Sequence, residues 1–193
     1  MQAARRAAVG RRSPAITDPS RRRPLLWFGI AAALVILADQ LSKAVVVDEL
    51  TPGSPVDVIG HWLQLDLTRN SGAAFSIGTG STLLFTAAAV AVAIVIARTA
   101  SRINSSRWGV SLGLLFGGAL GNLSDRLFRA PAPFRGRVVD WIQVPHWPVF
   151  NLADSAITIG VLCIVGLSLL GVEMAKPPQD MTAEPTDLSS PVP

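Results

Sequence analysis

Four apolar segments constrain the fold of this chain more than any other feature of its sequence. They are Leu25 to Val47, Ser81 to Ala97, Trp108 to Leu127 and Phe150 to Val172. Each is long enough to cross a bilayer as a helix, which takes about 17 to 25 residues. Half of the 193 residues are hydrophobic, and the mean hydropathy is +0.44. The sequence therefore predicts an all-α membrane protein with four transmembrane helices.

Arginine and lysine are distributed unequally among the segments that connect these helices. Eleven of them lie before the first span, between the second and third, and after the fourth, whereas four lie in the other two connections. Basic residues are enriched on the cytoplasmic side, so both termini are predicted to be cytoplasmic. This clustering also accounts for the basic composition without a nucleic-acid partner. We expect disordered tails at 1–24 and 173–193, flanking a membrane domain at 25–172.

The connection between the first two spans is too polar to cross a membrane and too regularly patterned for a plain linker. From Asp48 to Gly80, apolar residues alternate loosely with polar ones between Gly and Pro residues. This pattern predicts a small pair of β-strands on the outer surface. The segment TRNSGAAFS contains Asn70 and Gly72, and glycine lets a backbone approach a ligand closely. We expect this segment to form a platform that brings Asn70 near a substrate.

Two Asn-x-x-Asp units place carboxylates inside apolar segments, where ionisable side chains usually mark a functional site. The third span contains Asn122 and Asp125, and the fourth begins with Asn151 and Asp154. In the predicted topology, Asp125 lies about 26 Å from the inner end of its helix and Asp154 about 6 Å below the outer boundary. Both carboxylates therefore come to a similar depth near the outer face, on neighbouring antiparallel helices.

Two carboxylates at one depth suggest an aspartic dyad. Like charges a few ångströms apart share a proton, so that one group activates a water while the other assists the carbonyl of a substrate. Each asparagine lies one helical turn from its aspartate and is suited to orient a carboxylate or a peptide group. With one cysteine and two histidines in the chain, a zinc site has few ligands. We expect neither a metal nor a cofactor.

Other interpretations of these charged residues remain open. Asp39 and Lys43 have the spacing of an ion pair on one helix face, or they contribute to substrate binding. Asp125 could pair with the adjacent Arg126, and each aspartate could simply cap or tether its own helix. A small four-helix transporter coupled to protons or cations is the alternative function, although transporter sites lie near the midplane of the membrane.

The chain resembles the lipoprotein signal peptidases, the type II signal peptidases of bacteria. The resemblance covers roughly Leu25 to Val172, and its five motifs occur in the order of that family. They are DQLSK at 39–43, RNSGAAF at 69–75, GNLSDR at 121–126, VVD at 138–140 and FNLADS at 150–155.

That resemblance implies an aspartic endopeptidase of the bacterial cell membrane, with its active site near the outer face. The expected substrate is a prolipoprotein whose signal peptide is cut before a diacylglyceryl-modified cysteine. Asp125 and Asp154 would form the catalytic dyad. Further motif positions would bind substrate or support the site: Asp39, Lys43, Asn70, Gly72, Asn122, Arg126, Asp140 and Asn151. We expect a monomer whose partners are the prolipoprotein and membrane lipid.

Overall fold

The computed structural model describes residues 19–72 and 81–175, which form four helices and three strands. In chain order they are α1 (Pro19–Glu49), β1 (Val56–Ile59), β2 (Leu63–Asn70), α2 (Ser81–Ala100), α3 (Ser106–Phe128), β3 (Val138–Gln143) and α4 (Leu152–Leu169). The helix α1 begins six residues before the predicted start at Leu25. Residues 1–18 and 176–193 of the predicted tails, and residues 73–80 of the predicted platform, lie outside the described residues.

The helix α3 is the centre of the bundle, because it packs against α1, α2 and α4. Glycines allow its backbone to lie directly against that of α1. A Cβ atom at Gly113 would lie 2.6 Å from the carbonyl oxygen of Phe28, and one at Gly117 would lie 2.7 Å from that of Ala32. Real Cβ atoms do not approach so closely, so glycine at these positions sets the spacing between the two helices.

Three of the helices, α1, α2 and α4, are long and apolar enough to cross a membrane. Their outward side chains are exposed leucine and other aliphatic residues, such as Leu34 at 62% and Leu162 at 65% exposure. The 23 residues of α3 include Asp125 and Arg126 and many glycines. Because its neighbours enclose α3, its surface needs less hydrophobicity than one that faces lipid.

The three strands form an antiparallel sheet in the order β1-β2-β3. The strand pair predicted between the first two spans is present as β1 and β2. The third strand was not predicted from the sequence. The segment Val138–Gln143 forms a strand because β2 provides a pairing edge, and a partner so distant in the chain leaves no local signal.

Packing on α1 fixes the sheet to the bundle. Leu67 and Val139 are buried in a cluster with Val46 near the end of α1. Side chains of a strand alternate between its two faces, so the neighbouring residues of β2 and β3 face the other way. There the side chains of Asn70 and Asp140 meet, with Asn70 Nδ2 3.0 Å from Asp140 Oδ2. The sheet thereby presents a carboxylate to the polar interior of the bundle.

Candidate active site

The polar residues of the sequence motifs converge where the sheet lies against one end of the helix bundle. The helix α1 contributes Asp39 and Lys43, β2 Asn70, α3 Asn122 and Asp125, β3 Asp140, and α4 Asp154 with Asn151 immediately before it. Most of these side chains are buried. Their hydrogen bonds divide them into a closed ion cluster and a pair of facing acids.

Lys43 is the centre of the ion cluster. Its Nζ atom lies 2.8 Å from Asp39 Oδ2 and 2.8 Å from Asp125 Oδ2, and all three side chains are fully buried. It also donates a hydrogen bond to Asn122 Oδ1 at 3.1 Å. The ion pair between Asp39 and Lys43, one of the two interpretations left open by the sequence, is therefore formed. An ammonium group has three protons, and each has a partner here.

Asp125 belongs to this cluster. Its Oδ1 accepts a hydrogen bond from Arg129 Nε at 2.6 Å, and its Oδ2 accepts one from the backbone N–H of Val139 at 3.2 Å. With Lys43 as a further partner, two cations neutralise this carboxylate. Within the described residues, no hydrogen bond joins Asp125 to Asp154. The carboxylate of Asp125 is instead bonded to Lys43 and Arg129.

Asp154 lies in the first turn of α4 and is partly exposed. Its Oδ1 accepts a hydrogen bond from Asn122 Nδ2 at 2.7 Å, and its Oδ2 accepts one from the backbone N–H of Asn151 at 3.3 Å. Asn151 Oδ1 in turn accepts from the backbone N–H of Asp154 at 2.9 Å, which completes a capping box. These bonds fix the carboxylate while leaving it accessible.

Asp140 is the acid that faces Asp154. Its side chain is 2% exposed, and it accepts hydrogen bonds from Asn151 Nδ2 at 2.6 Å and Asn70 Nδ2 at 3.0 Å. Burial raises the pKa of Asp140 to about 6, although the bond from Asn70 opposes the rise. Repulsion by the Asp154 carboxylate also raises it, whereas the bond from Asn151 and the charge of Lys43 lower it. Asn151 therefore contacts two carboxylates that repel each other.

Gly72 supports Asn70. Its backbone N–H donates to Asn70 Oδ1 at 2.7 Å, which turns the Nδ2 group of Asn70 toward the acid. The φ angle of Gly72 is +83°, and a Cβ atom there would lie 2.6 Å from the ring of Phe85. Any larger residue would be strained at this position. Asn70 therefore forms a hydrogen bond with Asp140, in addition to any role that Asn70 has toward a substrate.

Arg126 points toward the acids rather than pairing with its neighbour in the chain. Its guanidinium carbon lies 5.8 Å from the centre of the Phe85 ring. Its positive charge lies close enough to Asp140, Asp125 and Asp154 to attract each of these carboxylates. Its Nη1 atom is buried and has no hydrogen-bond partner in the part of the chain that the structure describes. The adjacent pairing of Arg126 with Asp125 is not formed, because Arg129 occupies that carboxylate.

An apolar groove of about 390 Å³ opens beside Asp154. Its lining residues come from the loop after β3 and from α4: Val144, Trp147, Phe150, Asp154, Ser155, Thr158 and Ile159. The hydroxyl groups of Ser155 and Thr158 donate to the backbone carbonyls of Asn151 and Asp154. The groove therefore offers a hydrophobic wall with one carboxylate at its edge.

Facing aspartates at the end of a membrane helix bundle are the arrangement expected of a membrane aspartic peptidase. No group of His, Cys, Asp and Glu residues able to hold a metal ion occurs in residues 19–72 and 81–175. The sequence model of the family described as signal peptidase (SPase) II matches residues 31–170. The chain belongs to the signal peptidase II family, which makes it a membrane enzyme of the aspartic peptidase class.

Similar proteins agree with this assignment. The lipoprotein signal peptidase of Streptomyces coelicolor is 49% identical over 79% of this chain and 74% of its own length. That of Mycobacterium avium is 44% identical over 86% of this chain and 89% of its own. A solved structure described as a bacterial membrane enzyme has a TM-score of 0.66 at 32% identity, covering 75% of this chain and 92% of its own. The resemblance found in the sequence motifs is confirmed.

Proposed function

We propose that this enzyme removes the signal peptide from prolipoproteins by cutting before a lipid-modified cysteine, with Asp140 and Asp154 as its catalytic acids. The observation that carries this assignment is the shared contact with Asn151, whose amide binds Asp140 and whose backbone binds Asp154. The names of the similar proteins support the substrate class. In this proposal the partner of Asp154 is Asp140, the acid of the VVD motif, and not Asp125.

The two acids divide the work of peptide hydrolysis. Asp154 takes a proton from a water, whose oxygen forms a bond to the scissile carbonyl carbon. Asp140 begins the reaction protonated, because burial favours its neutral form, and gives this proton to the carbonyl oxygen. The tetrahedral intermediate then collapses as the C–N bond breaks: one of its hydroxyl groups returns a proton to Asp140 as the C=O bond re-forms, and the amine leaves with the proton from Asp154. No cofactor is needed for this sequence.

The groove beside Asp154 suits the apolar part of such a substrate. It reaches from the acid along α4 to Ile159, a side chain that is 52% exposed on the outside of the bundle. A hydrophobic substrate could therefore enter from the lipid phase and bring its scissile bond to Asp154. Burial of apolar surface in the groove would contribute about 25 cal/mol per Å² to binding.

The proposal is tested with purified protein and a diacylated prolipoprotein. We expect a loss of mass equal to that of the signal peptide, with the new N-terminus at the lipidated cysteine. The same peptide without its acyl chains is the matched substrate control, and it should be cut far more slowly. Cleavage at another bond, or equal cleavage of both peptides, would contradict the proposed specificity.

Removal of the Asn70 side chain should shift the pH profile. Asn70 donates to the carboxylate of Asp140 and so favours its ionised form. In Asn70→Ala the pKa of Asp140 should rise further above about 6. Because Asp140 must be protonated to act as the acid, the alkaline limb of kcat/KM should move to higher pH. An unchanged limb in the folded variant, measured across pH 5 to 9, would exclude Asp140 as the acid.

We also propose that the chain crosses the cell membrane four times, with both termini in the cytoplasm and the acids near the outer face. Single cysteines at Ser54, before β1, and at Ser105, before α3, should then react with impermeant thiol reagents from opposite sides. The native Cys163 is first replaced by serine, so that only the introduced thiol reports. Labelling of both positions from one side would overturn this topology.

A further inference from the structure

Asp154 is held by α1 through two separate routes. In the first, Asp39 Oδ1 accepts a hydrogen bond from the backbone N–H of Ala153 at 3.0 Å. In the second, Lys43 Nζ donates to Asn122 Oδ1 at 3.1 Å, and Asn122 Nδ2 donates to Asp154 Oδ1 at 2.7 Å. The ion pair of α1 therefore reaches the backbone of the residue before Asp154 and, through Asn122, the side chain of Asp154.

The chemistry of lysine fixes the direction of the second route. An ammonium group can only donate, so Asn122 must turn its oxygen toward Lys43 and its NH₂ group toward Asp154. Asn151 Nδ2 also donates to Asn122 Oδ1 at 3.1 Å and enforces the same orientation. With Asn122 reversed, its oxygen would face the oxygen of Asp154, and the carboxylate would be repelled.

The first route depends on a helix terminus and a glycine. The first backbone N–H groups of α4 have no partner within the helix, and Asp39 takes that of Ala153. A Cβ atom at Gly121 would lie 2.7 Å from Asp39 Oδ2 and 3.2 Å from Ala153 Cβ. Glycine on α3 therefore leaves the space through which the carboxylate of α1 reaches α4.

We propose that Asp39 and Lys43 act as one positioning unit for Asp154 and govern the chemical step rather than the affinity for substrate. This inference rests on the proposed catalytic role of Asp154. It assigns the buried ion pair a role beyond stability, because neither side chain contacts the groove while both are bonded to groups that hold the catalytic carboxylate.

The test uses the double variant Asp39→Asn/Lys43→Met, which removes one charge of each sign and leaves Asp125 paired with Arg129. We expect kcat to fall about 10²-fold per folded molecule, as for a small displacement of a reacting group, with KM within about twofold. The control is Arg129→Gln, which breaks another ion pair of the cluster but has no contact with Asp154. Its kcat should stay within about threefold of the wild type.

A second variant keeps every charge. In Gly121→Ala the added methyl group displaces the Asp39 carboxylate, so kcat should again fall with little change in KM. Wild-type kcat in the folded double variant would overturn the positioning role. Where the double variant does not fold, wild-type kcat in Gly121→Ala would overturn it.

A readout that does not use cleavage separates this proposal from the proposed function. The side-chain amide resonance of Asn122, followed by ¹⁵N NMR, should move in the double variant and stay in place in Arg129→Gln. Failure of the wild type to cleave prolipoprotein would overturn the function and leave this measurement intact. An unmoved resonance in the double variant would contradict the orientation of Asn122 by Lys43.

Discussion

Replacement of Asp154 by asparagine should lower kcat by about 10⁴-fold or more, which is the scale expected when one member of a catalytic pair is removed. Asparagine has nearly the same shape but cannot take a proton from water. The capping box loses at most one bond, about 1 kcal/mol, so the variant should fold. The measurement is cleavage per folded molecule, with the folded fraction determined from the elution profile in detergent.

Two further variants decide which acid is the partner of Asp154. Asp140→Asn should lower kcat to a similar extent. Asp125→Asn should instead keep kcat within about tenfold while lowering stability by about 3 to 5 kcal/mol, because Lys43 and Arg129 would lose a buried counter-charge. The reverse result, with Asp125→Asn inactive and stable and Asp140→Asn active, would restore the dyad predicted from the sequence.

The ion cluster explains how a bundle can bury three charged side chains, with a partly exposed fourth, Arg129, beside its active site. Lys43 and Arg129 balance Asp39 and Asp125, so the cluster carries no net charge. Burial of ions is costly, and such clusters persist when hydrogen bonds satisfy their polar atoms. Here Gln40 also contributes, since its Nε2 donates to Asp39 Oδ2 and to the backbone oxygen of Gly121, each at 3.1 Å. The cluster joins α1 to α3 near Asp154.

Sequence patterns predicted the helices well because a long apolar segment has few other stable forms in a membrane. The strands β1 and β2 were found from their alternation. The strand β3 was missed because its partner, β2, lies far away in the chain. Its location matters for function, since β3 is the element that brings Asp140 to Asp154.

The sequence predicts Asp125 as the partner of Asp154, whereas the contacts favour Asp140, and part of the physical reason is visible in the sequence. Asp125 and Arg129 have the same i,i+4 spacing and acid-first order as Asp39 and Lys43. Applied to both pairs, that rule would have marked Asp125 as a neutralised carboxylate. The second cation on Asp125, Lys43, comes from another helix, so only the fold reveals it. Equal depth in the membrane therefore does not show which cations and hydrogen-bond donors surround each carboxylate.

The packing of α3 against α4 leaves no room for a side chain at Gly118. A Cβ atom at Gly118 would collide with the carbonyl oxygen of Ala153 and lie 2.7 Å from Ile157 Cγ1. Gly118→Val should therefore force the two helices apart, and overpacking of this kind costs about 1 to 3 kcal/mol, or more where backbone is struck. We expect a strong loss of folded yield and a lower Tm in detergent.

The matched control is Gly29→Val, because a Cβ atom at Gly29 on α1 meets no atom within 4 Å. Both variants exchange the same residues within a helix, so intrinsic helix propensity changes alike and the contact with Ala153 is the difference. Since Ala153 precedes Asp154, the small folded fraction of Gly118→Val should also lose cleavage activity. Equal folded yield and equal Tm in the two variants would show that the contact between α3 and α4 adjusts to the added side chain without strain. Glycine at position 118 would then not be required for the placement of Asp154.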